Sequence, residues 1–234
     1  MRAVFKRELR AFFLSPLGYV FIGALFACSG YYFFTGNLQK GNTDMTGLYA
    51  SLFPVVLFLI PVLTMRLMSE DRRQHTDQIL YTSPVSRNGV VAGKYLAALT
   101  VYVAAITGTL SNAFVMAFFA RPQWATILGN YFGLLLLGMA LIALCMFLSS
   151  FTESQFIAAI SGLGASLLLT LIEPLTLWVA NPAVKLICKA LSFNRRYLPF
   201  AMGILELSNV VFFISVAALF TGLTMAVLDK RRWS

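Results

Sequence analysis

The sequence has little charge, and this limits the class of protein it encodes. Only 12% of its 234 residues are charged, 59% are hydrophobic, and the mean hydropathy is +0.79. Because a soluble domain carries about a quarter charged residues, the composition excludes a soluble globular protein and indicates lipid surroundings. The net charge of +9 would suggest nucleic-acid binding in a soluble protein. In a membrane protein, basic residues set orientation and contact anionic headgroups, so we expect no nucleic-acid partner.

The sequence also lacks the residue sets of common catalytic and metal sites. Its three cysteines, Cys28, Cys145 and Cys188, are scattered and form no C-x-x-C pair, which argues against a disulfide framework or a metal site. His75 is the single histidine, so neither an H-E-x-x-H motif nor a second histidine ligand exists. We therefore expect no enzyme activity, no metal and no cofactor in this chain.

A phosphate-binding loop is missing as well. The stretch "GVVAGKY" at 89–95 has three residues between its glycines instead of four, and Tyr95 follows Lys94 where Ser or Thr is required. We interpret this stretch as the start of a membrane span. Gly89 and Gly93 would permit close helix packing, and Lys94 is predicted to snorkel to the headgroups.

Six apolar runs are long enough to cross a hydrocarbon core of about 30 Å as helices. No room for a soluble domain remains between them, so we predict a single transmembrane domain over 1–234, an all-α membrane protein with six transmembrane helices. The predicted spans are about 17–34, 49–68, 89–119, 125–148, 156–180 and 207–228.

Lysine and arginine predict the orientation of these spans. With the N-terminus in the cytoplasm, twelve of the eighteen basic residues lie on the cytoplasmic side, and both termini are cytoplasmic. These twelve are Arg2, Lys6, Arg7, Arg10, Arg66, Arg72, Arg73, Arg87, Lys94, Lys230, Arg231 and Arg232. The outer side then holds Lys40, Arg121, Lys185, Lys189, Arg195 and Arg196.

Two segments flank the spans without crossing the membrane. The arm 1–16 alternates apolar and basic residues, which is typical of an interfacial helix, and Ser15 and Pro16 should end it; an ordinary basic flank is the alternative. The segment 181–206 is too polar to span and too apolar to be fully solvated. Lys185 and Lys189 share a helix face there, which predicts a short helix at the outer leaflet or, alternatively, a lipid-anchored linker.

The insert 69–88 joins spans two and three and mixes both charge signs with an apolar Ile-Leu-Tyr cluster. A helix of this kind could dock a soluble partner and transmit movement, because each end continues into a transmembrane helix. A solvated loop is the alternative, but such a loop would not need the apolar cluster. We therefore favour a docking element.

The stretch "SEDRRQHTDQILYTSPVSRNGVVAGKYLAAL" resembles the first cytoplasmic loop of type-2 ABC exporter permeases. Family features present here are Glu70, Arg72, Thr76, Leu80, Ser83, Pro84, Val85, Gly93 and Lys94. His75 stands where the family has Gly, and Gln78 where it has Glu. "FKRELRAFFLSPLGYVF" resembles the family's elbow helix and first span. The C-terminal run "GILELSNVVFFISVAALFTGLTMAVLDKRRW" is similar to the subgroup of gliding-motility and copper-maturation permeases.

This resemblance implies a permease subunit in the cytoplasmic membrane of a prokaryote, moving substrate outward. Two copies of a separate ATPase, carrying ATP and Mg²⁺, would bind it, together with a second permease subunit, identical or homologous. Membrane lipid surrounds the assembly, and an extracytoplasmic partner protein is a further expectation. The implied ATPase-coupling residues on the coupling helix are Glu70, Arg72, Arg73, Thr76, Asp77, Gln78 and Leu80.

Small residues at i, i+4 spacing allow helices to approach closely. The candidates for dimer packing are Gly23, Ala27, Ala158, Gly162 and Ser166, although such rows also serve packing within one chain.

Glu173 is the one charged residue well inside an apolar run, and Pro174 follows it. Intramembrane charges usually face a cavity or a partner, so Glu173, Pro174, Lys185 and Lys189 are candidates for a gate or substrate pathway. The alternative for Glu173 is an interfacial ion pair with a lysine of the outer segment. For the protein as a whole, a secondary transporter or channel without an ATPase is the alternative function.

Overall fold

A computed structural model describes residues 1–73, 87–119, 123–175, 186, 188–189 and 191–231, with the backbone alone at positions 87, 173, 175 and 231. Within these ranges all regular structure is helical. The helices are α1 (Arg2–Leu14), α2 (Pro16–Phe33) with a π-helical extension (Phe34–Leu38), α3 (Thr46–Thr64), α4 (Arg66–Arg73), α5 (Arg87–Phe119), α6 (Trp124–Ser149), α7 (Gln155–Leu175), α8 (Phe193–Ala201) and α9 (Leu207–Arg231).

Six of these helical segments are long and apolar enough to cross a membrane, which confirms the predicted all-α membrane fold with six transmembrane helices. They are Pro16–Leu38, Thr46–Arg73, Asn88–Phe119, Trp124–Ser149, Gln155–Ile172 and Leu207–Lys230.

The break predicted at Ser15 and Pro16 is confirmed. Ser15 has an extended backbone, and Pro16 is the first residue of α2, where its missing amide costs no helical hydrogen bond. The turn is so tight that a Cβ on Gly18 would lie 2.7 Å from the carbonyl oxygen of Phe12. This close approach fixes α1 against the start of the first span.

Helix α6 forms the centre of the bundle. In its most apolar window 72% of the residues are buried, against 17% for α9 and 22% for α7. The helix contacts α3, α4, α5, α7, α8 and α9. Gly138 permits this packing, because a Cβ there would overlap the ring of Tyr102, whose hydroxyl donates a hydrogen bond of 2.6 Å to the Leu134 carbonyl.

The chain order places the non-spanning helices at two opposite ends of the bundle. At one end, here called the α4 end, lie α1, α4 and the turn between α6 and α7. At the other, the α8 end, lie the π-helical extension, the connection from α5 to α6, and α8. Helices α2, α7 and α9 present apolar side chains outward along the bundle, including Phe26, Leu168 and Ile214.

Candidate functional site

The α4 end contains the described part of the predicted coupling segment. Helix α4 follows α3 after the single residue Met65. Two contacts stabilise its start, each between residues one helical turn apart. Arg66 and Glu70 form an ion pair of 2.6 Å, and the Ser69 hydroxyl donates to the Met65 carbonyl at 2.5 Å. The segment therefore begins as a direct extension of the second span.

Hydrogen bonds from two serines join α4 to the end of α6. The Ser149 hydroxyl donates to the Met65 carbonyl at 3.0 Å and accepts from the Ser69 amide at 3.2 Å. Ser69 and Ser149 are both fully buried. Because buried hydrogen-bonded groups are costly to separate, these bonds hold the start of α4 against the end of α6.

An ion pair at the surface joins α4 to the turn before α7. The Arg72 guanidinium lies 3.0 Å from the Glu153 carboxylate and donates to the Ser150 carbonyl at 3.5 Å. Glu153 is 61% exposed, so solvent screens this pair and its contribution to stability is small. The pair therefore fixes the direction of α4 relative to the turn before α7, and it adds little to the stability of the fold.

Four charged side chains, Lys94, Asp71, Glu8 and Arg7, form a cluster where α1, α4 and α5 meet; we call it the Lys94 cluster. Lys94 Nζ lies 2.7 Å from Asp71 Oδ2 and 3.3 Å from Glu8 Oε1, and it donates to the Leu67 carbonyl at 2.5 Å. Arg7 Nη2 lies 2.6 Å from Glu8 and 3.8 Å from Asp71. Two cations thus face two carboxylates.

The predicted snorkelling of Lys94 is wrong, because only 1% of the residue is exposed. Its ammonium group is instead paired inside the protein. Gly93 makes this possible: a Cβ there would lie 3.2 Å from Val4 and from the amide nitrogen of Phe5, so α1 packs closely against α5. The prediction that Gly93 allows close packing is confirmed.

Sequence reasoning missed Glu8, Asp71, Ser149 and Glu153 as members of this end. One signal was available, since Glu8 is the only acidic residue in the basic arm 1–16. An isolated carboxylate among basic and apolar residues is a candidate for a specific ion pair, although its partner is far away in the sequence.

Three of the predicted coupling residues are described. Glu70 and Arg72 are half-buried and have the partners Arg66 and Glu153, whereas Arg73 is exposed at the end of α4. The remaining predicted coupling residues lie outside the described residues: Thr76, Asp77, Gln78 and Leu80.

The small residues on α7 pack within the chain. Ala158, Gly162 and Ser166 are buried, and a Cβ on Gly162 would lie 3.1 Å from Pro61 and 3.3 Å from Cys145. Of the two interpretations of this row, dimer packing and packing within one chain, the structure shows the second.

The row on α2 has a different environment. Gly23 and Ala27 are exposed, and no neighbouring atom lies within 4 Å of a Cβ placed on Gly23. Dimer packing through these two residues stays a prediction.

At the α8 end, glycines on α6 allow α8 to pack closely against that helix. A Cβ on Gly133 would lie 2.5 Å from Phe200 Cβ, and one on Gly129 would lie 3.0 Å from Gly203 Cα. Gly203 ends the helix with φ +78°, a conformation that favours glycine. The Asn130 side chain donates to the Ala201 carbonyl at 3.0 Å.

The buried side of α8 also contacts α3. The Tyr197 hydroxyl donates to the Tyr49 carbonyl at 3.2 Å, and the rings of Tyr197 and Phe53 lie 5.0 Å apart. Burial raises the pKa of Tyr197 well above its usual range, so the phenol remains a neutral hydrogen-bond donor. Helix α8 is therefore packed into the end of the bundle.

A basic cleft of about 600 Å³ borders α8 on its outer side. Arg196 donates to Ser208 and Asn209, each at 3.2 Å, and its guanidinium carbon lies 4.6 Å from the centre of the Phe212 ring. The lining residues are Leu186, Lys189, Arg195, Arg196, Pro199, Glu206, Ser208 and Asn209.

Of the predicted pathway residues, only Lys189 lines this cleft among those described. Pro174 lies in the last turn of α7, next to the backbone of Glu173. Lys185 and the Glu173 side chain lie outside the described part.

No metal site is evident in the described ranges, where no group of three or more His, Cys, Asp or Glu side chains could hold an ion.

Comparison with known families covers nearly the whole chain. The family model described as ABC-2 family transporter protein matches residues 9–232. No curated protein matches the chain. The matched region includes all six candidate membrane spans, α4 and α8. The chain therefore belongs to the ABC-2 family of transporter proteins.

Proposed function

We propose that this chain is the permease subunit of an ATP-driven exporter, and that a separate ATPase docks on the segment that begins with α4 and continues to about residue 82. The observation that carries the proposal is the family match over residues 9–232. The position of α4 supports it, because this short polar helix directly extends one membrane span and precedes the next. ATP and Mg²⁺ would be bound by the partner ATPase.

The contacts of α4 explain how a soluble partner could move membrane helices. A force on α4 reaches α3 through the one-residue junction at Met65, and reaches α6 through Ser69 and Ser149. The Arg72–Glu153 pair connects α4 to the start of α7. Closure of the ATPases would therefore shift several spans together, and this shift would switch access to the pathway from one side to the other.

The described coupling residues divide into two roles in this proposal. Glu70 and Arg72 have partners inside the chain at 2.6 and 3.0 Å, so they mainly set the direction of α4. Arg73 is exposed and therefore contacts the ATPase directly. Thr76, Asp77, Gln78 and Leu80 complete the docking surface as proposed coupling residues.

At the other end, α8 is proposed to gate the exit. Its buried face packs on α6 and α3, while Lys189, Arg195 and Arg196 give the adjoining cleft a basic lining. Glu173, Pro174 and Lys185 are proposed as neighbouring gate or pathway residues. An outward movement of α8 would open the bundle at this point.

The complete transporter would contain two permease subunits and two ATPases in the cytoplasmic membrane of a prokaryote, with both termini of the permease in the cytoplasm. The exposed apolar residues on α2, together with Gly23 and Ala27, offer a face for the second subunit.

Co-purification with the partner ATPase tests the proposal. The wild-type chain should retain the ATPase in detergent, and Arg73→Glu should reduce retention at equal permease yield. Lys230→Glu is the matched control, because Lys230 is an exposed cation near the α4 end but on α9. The double variant Glu70→Ala/Arg72→Ala should also reduce retention, since it removes two contacts that orient α4.

Two results would count against the proposal in different ways. Equal retention by wild type, Arg73→Glu and the double variant would exclude docking on this segment. Failure of the wild-type chain to retain any ATPase would favour a transporter or channel that works without one.

A further inference from the structure

The Lys94 cluster joins α1, α4 and α5 through charged side chains. Its residues are not among those proposed to contact the ATPase. Only 2% of the Lys94 side chain is exposed, against 14% for Glu8 and 19% for Asp71. Moving an ammonium group out of water is costly unless its hydrogen bonds are replaced. The presence of a lysine at this position therefore needs an explanation beyond packing.

Three oxygen atoms lie around the Lys94 ammonium group. It donates a hydrogen bond to the Leu67 carbonyl, and it forms ion pairs with Asp71 Oδ2 at 2.7 Å and with Glu8 Oε1 at 3.3 Å. Because Lys94 lies on α5, these contacts join α5 to α4 twice and to α1 once.

Apolar side chains would hold these helices at least as firmly. Replacing a buried ion pair by well-packed apolar residues is often neutral or stabilising, and α1 already has buried Val4 and Phe12. What the ions add is directional contact between specific atoms of three helices. Arg7, with half of its side chain exposed, balances the second carboxylate from the solvent side.

We propose that Lys94 is a positioning residue that makes α1 move with α4, so that the N-terminal helix is a working part of the transporter and not a passive membrane anchor. The inference rests on the proposed ATPase-driven function. When the ATPase displaces α4, Asp71 and the Leu67 carbonyl on that helix displace Lys94. Because Lys94 is also paired with Glu8, α1 moves with it. Movement at the docking segment thus reaches the base of the first span through α1.

The test uses the complete permease–ATPase complex in lipid nanodiscs. Spin labels at Arg10 on α1 and Lys230 on α9, both exposed, report the distance between these helices with and without trapped nucleotide. Arg7→Ala/Glu8→Ala removes both contacts of α1 with the cluster but leaves Asp71 as the counter-ion of Lys94. Lys40→Ala/Asp44→Ala, which removes one exposed cation and one exposed carboxylate at the α8 end, is the matched control.

In the wild type and the control, we expect the label distance to change when nucleotide is trapped. In Arg7→Ala/Glu8→Ala the change should be lost, while the ATPase is still retained and still hydrolyses ATP. A second variant, Lys94→Met/Asp71→Asn/Glu8→Gln, removes three of the four charges of the cluster and leaves only that of Arg7, half of whose side chain is exposed. It should also lose the change, and it should be more stable to heat than Lys94→Met alone.

An unchanged distance response in Arg7→Ala/Glu8→Ala or in the triple variant would overturn the inference and leave the proposed function intact. The same holds if wild-type α1 shows no nucleotide-dependent movement in a complex that hydrolyses ATP. If the wild-type chain retains no ATPase at all, the proposed function fails, and this inference fails with it.

Discussion

The packing of α8 on α6 leads to a quantitative prediction for Gly133→Ala. The new Cβ would lie 2.5 Å from Phe200 Cβ and 3.0 Å from Phe200 Cγ, whereas carbon atoms pack best at about 3.5–4.0 Å. The atoms must therefore separate by about 1 Å. Phe200 Cβ is bonded to the backbone, so a change of side-chain rotamer cannot relieve the overlap and α8 itself has to shift.

The expected magnitude combines two opposing effects. Overpacking of a filled core costs about 1–3 kcal/mol, while replacing glycine by alanine inside a helix gains roughly 1 kcal/mol. Gly164→Ala isolates the second effect, because Gly164 is helical and has no neighbour within 4 Å of a new Cβ. We predict that Gly133→Ala is less stable than Gly164→Ala by about 1–3 kcal/mol.

Thermal unfolding of the purified protein in detergent measures this difference. For a chain of this length, 1 kcal/mol corresponds to roughly 2–4 °C, so the midpoint of Gly133→Ala should lie about 2–12 °C below that of Gly164→Ala. Equal midpoints would refute the close packing of Phe200 on Gly133. They would show that α8 is not seated on α6 as described.

Three further predictions concern other contacts of the bundle. Gly93→Leu should displace α1 and lower stability by about 1–3 kcal/mol relative to Gly222→Leu, whose site is open; equal melting of both would argue against close packing of α1 on α5. A double-mutant cycle on Arg72 and Glu153 should give a coupling energy below about 1 kcal/mol, because the pair is exposed; a value above about 2 kcal/mol would mean that the pair is shielded from solvent. Lys189→Cys should react with an impermeant thiol reagent in intact cells, and labelling only after permeabilisation would reverse the proposed orientation.

The spans and their breaks could be predicted because they depend on local chemistry. Six apolar runs are visible in composition alone, and Ser15 with Pro16 marks the end of α1 through the backbone preferences of proline. Gly93 was also predictable as a site of close approach. The spans and the break depend on residues that are neighbours in the sequence, and for Gly93 the small size of the residue was signal enough, although its partners Val4 and Phe5 are distant.

Features that depend on distant residues could not be predicted in this way. From the sequence pattern, a lysine at the start of a span can either snorkel to the headgroups or be buried in an ion pair. Only the positions of Glu8 and Asp71 in the fold show that Lys94 is buried and paired. The row at Ala158, Gly162 and Ser166 correctly indicated close approach. Its spacing contains no information on whether the neighbour belongs to the same chain.

The outer segment was predicted in part. A short helix was expected around Lys185 and Lys189, and the described residues Leu186, Cys188, Lys189 and Leu191 are helical. The further helix α8, which begins at Phe193, was not predicted. Its start is marked by Ser192, whose hydroxyl accepts a hydrogen bond of 3.2 Å from the Arg195 amide. Pro199 lies inside this helix, although proline in a helix interior removes a backbone hydrogen bond.

Site-specific photo-cross-linking from position 73 tests the central claim most directly. A photoreactive amino acid replaces Arg73 in the intact permease–ATPase complex, and a second sample carries it at Leu205, which is 60% exposed near the α8 end. Our account predicts a cross-link to the ATPase from position 73 and none from position 205. A cross-link from position 205, or its absence from position 73 in a complex that contains the ATPase, would contradict docking at α4.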